Sequence, residues 1–183
     1  MIFIYRTLVA PLGFLLLIFI SPFLSAKIRS IVQLRRQRKL KDLTIKNPIW
    51  IHCSSGEFEY AKSMIREIKK TKPNEKILVT YLSSTYVKAI EQFPGVDESF
   101  PLPFDLPGPI GQFLNQVQPK CLLIARTDLW PEVLTQTRKK KIPAFQKCFP
   151  DCKKVFAFCK SGFSTNRVTS SAEPLCRPVS IYP

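Results

Sequence analysis

The sequence predicts an α/β fold on a parallel β-sheet, preceded by an apolar amino-terminal helix, and three observations lead there. Short apolar, β-branched runs alternate with segments whose apolar residues recur at spacings of three and four. Residues 7–26, TLVAPLGFLLLIFISPFLSA, carry no charge, and at ~1.5 Å rise per residue they reach across a ~30 Å hydrocarbon core. The third observation is where the charge sits. The 183-residue chain has a net charge of +15, yet residues 1–41 contribute +8, residues 138–183 another +8, and residues 42–137 sum to −1. A nucleic-acid-binding domain carries its basic patch on the folded module, so no nucleic acid is expected as a partner. At this length, with 45% hydrophobic residues, one compact domain fits, with sequence left over.

Residues 1–26 are expected to be a retained transmembrane anchor and 27–47 a basic juxtamembrane segment. Seven basic residues crowd Lys27 to Lys41, while only Arg6 precedes the apolar run. The positive-inside rule then places residue 27 onward in the cytoplasm, with Arg6 and the amino terminus across a single-pass span. A cleaved signal peptide would carry its positive charge before the apolar stretch instead. The basic block reads as a topology determinant, as an adhesive patch for anionic membrane lipids, or as both.

The body runs in order from 48 to 145. IWIHC (49–53) is a buried-strand run, and Phe58, Ala61, Met64, Ile65 and Ile68 mark an amphipathic helix to about Lys70. TKPNEK is a turn, ILVTYLS (77–83) a second strand, and STYVKAIEQF (84–93) a helix. PGVDES reads as a loop and FPLPFDLPGP as rigid and irregular, because its prolines recur every few residues. IGQFLNQVQ (110–118) is a short helix, KCLLIART (120–127) a third clear strand, DLWPEVLTQTRKKK (128–141) a helix, and IPAF (142–145) opens another strand. Strands separated by helices of this length imply right-handed βαβ units.

In such sheets ligands sit beyond the carboxyl ends of the strands, which singles out the loops SSGE (54–57) and RTDLWP (126–131). Ser54-Ser55-Gly56-Glu57 fits a capping box, Ser54 accepting the N–H of Glu57 and Glu57 reaching back to the N–H of Ser54. The same glutamate at a sheet edge is also placed to be a general base for an acceptor hydroxyl. His52 reads as its partner or as a satisfied core residue. The sequence holds neither a G-x-G-x-x-G run nor a P-loop, so no dinucleotide or nucleotide cofactor is expected. Cys53 and Cys121 fall in apolar runs and read as core. The spacings of Cys148, Cys152, Cys159 and Cys176 match no zinc pattern, and with one histidine no metal site is assigned.

IWIHCSSGEFEYAK, ILVTYLSS, PLPFDLPGPIGQFLNQVQPKCLLI, RTDLWPEVL and KKKIP resemble, in order and spacing, the acceptor half of the 3-deoxy-D-manno-octulosonic acid (Kdo) transferases. The resemblance, over about residues 1–145, implies the first Rossmann-like half of a two-domain GT-B glycosyltransferase with a transmembrane anchor. It implies an inverting transfer of Kdo from CMP-Kdo to lipid A precursor (lipid IVA), in lipopolysaccharide biosynthesis. The location implied is the bacterial inner membrane, with the catalytic domain cytoplasmic. Glu57 matches the family's general base, and Ser54 and Gly56 match its Ser-x-Gly-Glu motif, with Ser55 between them. Asp105 falls on the Pro-x-Asp-x-Pro loop, and Arg126, Asp128 and Trp130 fall on the Glu-Thr-Glu-Leu-Trp-Pro loop. These are the acceptor-binding candidates, with Trp130 alternatively a helix-start anchor in the core. No donor-binding residue is assigned.

Three departures stand out. One residue, Cys53, separates His52 from Ser54 where the family has two. Arg126 replaces a glutamate, reversing a charge and offering to pair with a lipid phosphate. After Phe145 the resemblance stops, and residues 146–183 form an atypical tail rich in Cys, Ser and basic residues, with no sustained period. That tail is expected to be out of frame or disordered, and the chain to be a truncated, inactive form lacking the half that holds CMP-Kdo. The alternative is a membrane-tethered Rossmann-like binding module that works with a separate partner chain.

Overall fold

A computed structural model describes residues 2–20, 26–125, 129–147 and 176–178. After α1 (Ile2–Ile4), a π-helical turn (Tyr5–Val9) and α2 (Ala10–Ile20) comes α3 (Ala26–Gln37), then β1 (Ile49–His52), α4 (Phe58–Thr71) and β2 (Ile77–Tyr81). α5 (Val87–Glu91), β3 (Glu98–Pro101), α6 (Pro107–Val117), β4 (Cys121–Ala125), α7 (Pro131–Lys139), β5 (Ala144–Lys147) and β6 (Cys176–Pro178) follow. The sheet order is β3-β2-β1-β4-β5-β6, with β1 to β5 parallel and β6 antiparallel to β5. This is the expected α/β, Rossmann-like parallel sheet.

Every residue of β1, β2 and β4 is buried, because helices cover both faces and neither side of these strands can be polar. Alternation divides them. Ile49, Ile51, Cys53, Ile77, Val79, Tyr81, Cys121 and Leu123 pack with Phe58, Met64, Ile65 and Ile68 of α4. Trp50, Leu78, Leu122 and Ile124 pack with Ile110, Phe113 and Leu114 of α6 and with Val133 and Leu134 of α7. The Trp50 ring meets Phe113 edge-on at 5.1 Å. Cys53 and Cys121 are core residues, as the sequence reading expects.

The differences from expectation have physical reasons. PGVDES and the start of the proline-rich run contain a strand: β3 lies outermost, where Pro101 breaks no central ladder. Within that segment Gly95 has φ +98°, and a Cβ there would come within 2.9 Å of the Lys69 side chain, so the turn requires glycine. α6 begins at Pro107 rather than Ile110 and α7 at Pro131, each with proline in the first turn, where its missing N–H costs nothing. The segment 84–93 divides into a 3₁₀ turn (Ser84–Tyr86) and α5. In the tail, Gln146 and Lys147 complete β5 and Cys176–Pro178 joins the sheet edge; the rest of it lies outside the described residues.

Among the described residues no helix is long and apolar enough to cross a membrane. The helical path from Ile2 to Ile20 is divided at Tyr5–Val9 by the π turn just before Pro11, whose missing N–H and ring displace the regular α ladder. The expected span also includes residues 21–25, outside the described residues. The basic segment is a docked helix. In α3, Val32 is buried, Leu34 packs against the core, and Arg35 lies over the Phe104 ring while its Nε donates to Leu102 O at 2.7 Å. Arg38 pairs with Glu91. Farther on, Gln116 of α6 holds the following segment by donating to Leu40 O and Leu43 O.

Candidate functional site

The crossover changes direction between β1 and β4, so the loops leaving these adjacent strands flank a topological switch point. They are the two loops singled out from sequence. The first is held by backbone: Ser54 O accepts the N–H groups of Leu82 and Ser83, both at 3.2 Å. Glu57 occupies the N-cap position of α4, and its Oε2 accepts the N–H of Ser55 at 3.0 Å. The capping box as expected is not formed, because α4 starts three residues later than that motif needs and the carboxylate reaches Ser55 instead of Ser54. Oε1 of Glu57 accepts no bond among the described residues. Gly56 lies exposed with Tyr86 Oη 3.9 Å from where a Cβ would be.

His52 is buried directly beneath this loop. Its Nδ1 lies 2.9 Å from Thr80 Oγ1, which also accepts Trp50 Nε1–H at 2.8 Å. Nε2 meets no partner among the described residues. Burial, aided by the Arg35 cation and opposed by the Thr80 bond and the Glu57 charge, lowers the imidazole pKa to about 4. His52 is therefore neutral at pH 7. Between about 6.5 and about 4 the unfolded chain takes up this proton and the folded one does not, so stability must fall as pH falls through that window. Urea titrations from pH 7.5 to 4 are expected to show His52 contributing a loss of about 3 kcal/mol, and His52→Gln to remove that contribution.

The second loop reaches α7. Trp130 is its N-cap residue and packs against the α6–α7 side of the core, with Nε1 meeting no partner among the described residues. Arg126 and Asp128 lie outside the described residues. Asp105 is brought to the same helix end from the loop after β3. Its Oδ2 and Oδ1 accept the N–H groups of Glu132 (3.1 Å) and Val133 (3.0 Å), and Tyr5 Oη–H donates to Oδ2 at 2.6 Å. The carboxylate thus caps α7 from another segment. Burial raises its pKa, and these three bonds work against that rise. A cavity of about 250 Å³ lined by Arg38, Glu91, Glu98, Ser99 and Phe100 lies at the β3 edge and includes none of these residues.

Sequence reasoning missed Arg6 and Glu132. Glu132 is fully buried, and Arg6 Nε and Nη2 donate to its Oε2 and Oε1 at 2.8 and 2.7 Å, while Gln136 Nε2 donates to Oε1 at 2.7 Å. The available signal was a glutamate on the apolar face of a helix, together with a single cation beside an apolar run.

Fold and switch-point loops together define a Rossmann-like module of the kind that holds a ligand at its strand ends. Residues 27–146 match the family described as 3-Deoxy-D-manno-octulosonic-acid transferase (kdotransferase), and the chain belongs to that family. It is 35% identical over 98 residues to the 3-deoxy-D-manno-octulosonic acid transferase of Haemophilus influenzae, covering 52% of this chain and 23% of that one. To the Aquifex aeolicus protein of the same name it is 32% identical over 101 residues, covering 53% and 27%. A bifunctional glycosyltransferase/methyltransferase of Fusobacterium nucleatum is 24% identical over 122 residues, covering 65% and 19%. The matched stretches thus span about a fifth to a quarter of these relatives.

Proposed function

We propose that this chain forms the acceptor side of a Kdo transfer reaction, from CMP-Kdo to lipid A precursor, at the cytoplasmic face of a bacterial inner membrane. The observation that carries the reading is Glu57, which stands at the switch point with one carboxylate oxygen held by Ser55 N–H. Glu57 removes the proton of the lipid hydroxyl, whose oxygen attacks the anomeric carbon of Kdo as the bond to CMP breaks on the opposite face. In this scheme Ser54, Ser55 and Gly56 shape the acceptor loop, and Asp105 fixes the start of α7 beside Trp130. The resemblance also gives Arg126 and Asp128 a share in acceptor binding. A second Rossmann-like half of the GT-B kind holds the donor, and the apolar amino-terminal run keeps the module at the membrane, raising the effective concentration of a lipid acceptor.

The test uses the full chain in mixed micelles with lipid IVA and CMP-Kdo, with and without the donor-binding half of the Haemophilus influenzae relative. Saturable lipid IVA binding by the chain alone is expected, with Kdo-lipid product seen by mass spectrometry once the donor half is added. Absence of both binding and product overturns the proposal.

A further inference from the structure

The apolar run from Ile2 to Ile20 leaves large side chains bare: Phe3 is 74% exposed, Leu12 61% and Phe19 73%, with Leu8, Leu15 and Leu16 alongside them. Its one charged residue is Arg6, and that residue is committed. Arg6 makes a two-pronged ion pair with fully buried Glu132 of α7, and its neighbour Tyr5 donates to Asp105. The other flank is committed as well. Five residues separate the end of α2 from the start of α3, which has Val32 buried, Leu34 packed on the domain and Arg35 bonded to Leu102 O.

These two attachments conflict with a single-pass span. A helix crossing the bilayer separates its flanks by ~30 Å of hydrocarbon. Arg6 on the far side could not reach a carboxylate on the domain. We infer that the apolar run does not carry the amino terminus across the membrane: it is held with both flanks against the domain and presents its bare apolar side to the lipid from the domain's own side. This inference rests on the membrane association proposed above and replaces the topology expected from charge alone. The occupant of the apolar surface is a bilayer with anionic headgroups. Residues 27–41 contain seven basic and no acidic residues, and Arg29, Arg36, Lys39 and Lys41 are exposed, so a negative surface potential draws this face down beside the apolar helix.

Two protease-accessible sites on the full chain read the arrangement. One is an epitope with a cleavage site fused ahead of Met1; the other is a cleavage site in the Lys72–Glu75 turn of the domain. Both are probed in spheroplasts and in inverted inner-membrane vesicles of a Gram-negative host. Both sites are expected to be cut in inverted vesicles and spared in spheroplasts. An epitope cut in spheroplasts while the domain site is spared overturns the inference and leaves the membrane reading standing. Recovery of the chain in the soluble fraction overturns both.

Discussion

Glu57→Gln is expected to lower Kdo transfer in the reconstituted reaction by about 10²–10⁴-fold, with lipid IVA affinity changed by less than about twofold. The size follows from the role. An amide has the shape of the carboxylate and still offers an oxygen to Ser55 N–H, so the bond at 3.0 Å that holds the loop has a replacement. It cannot take a proton from an attacking hydroxyl. Binding and chemistry should therefore separate, which a merely structural role would not produce. Glu59→Gln is the matched control. Glu59 lies two residues on, exposed and paired with Lys62, and its loss should leave transfer within about twofold, in keeping with the small value of surface ion pairs. If Glu57→Gln transfers at the full rate, the carboxylate is only a tie at the start of α4.

What could be read in advance depended on how local the cause was. The central strands were legible because burial on both faces leaves largely apolar runs at 49–53, 77–82 and 121–125. The register that sends Ile49 and Ile51 to one helix layer and Trp50 to the other follows from the two-residue period. β3 was illegible because an edge strand tolerates the Glu, Ser and Pro residues that elsewhere signal a loop. The ends of α6 and α7 could have been placed by the rule that proline favours the first helical position. Glu57 was singled out from sequence, yet its hydrogen-bond partner is Ser55 and not Ser54, because the capping box places the helix start just after Ser54 and α4 begins only at Phe58. The bonds from Tyr5 to Asp105 and from Arg6 to Glu132 join residues 100 and 126 positions apart, and local patterning carries no trace of such pairs. Charge counting gave no sign that Arg6 pairs with Glu132.

That ion pair sets up a large stability effect. Arg6→Ala is expected to destabilise the folded chain by about 3 kcal/mol, read as a shift in urea midpoint in mild detergent. The reason lies in what remains. Glu132 has no exposed surface, and Gln136 supplies one neutral donor in place of two charged ones, so an uncompensated carboxylate stays buried. The reverse substitution should be gentler. The Arg6 side chain keeps 23% exposure, so after Glu132→Gln the guanidinium still meets solvent, and a cost of about 1 kcal/mol is expected. Replacing both residues with methionine removes the charges together and should recover most of the Arg6→Ala loss. A double variant no better than Arg6→Ala would show that the arginine acts through its stem packing. The asymmetry also reaches the site, because Tyr5 and Arg6 bond Asp105 and Glu132 at the same helix end. Freeing the amino-terminal helix loosens the start of α7, and with it Trp130, so Arg6→Ala should weaken lipid IVA binding beyond its effect on the fraction folded, while Glu59→Gln should not.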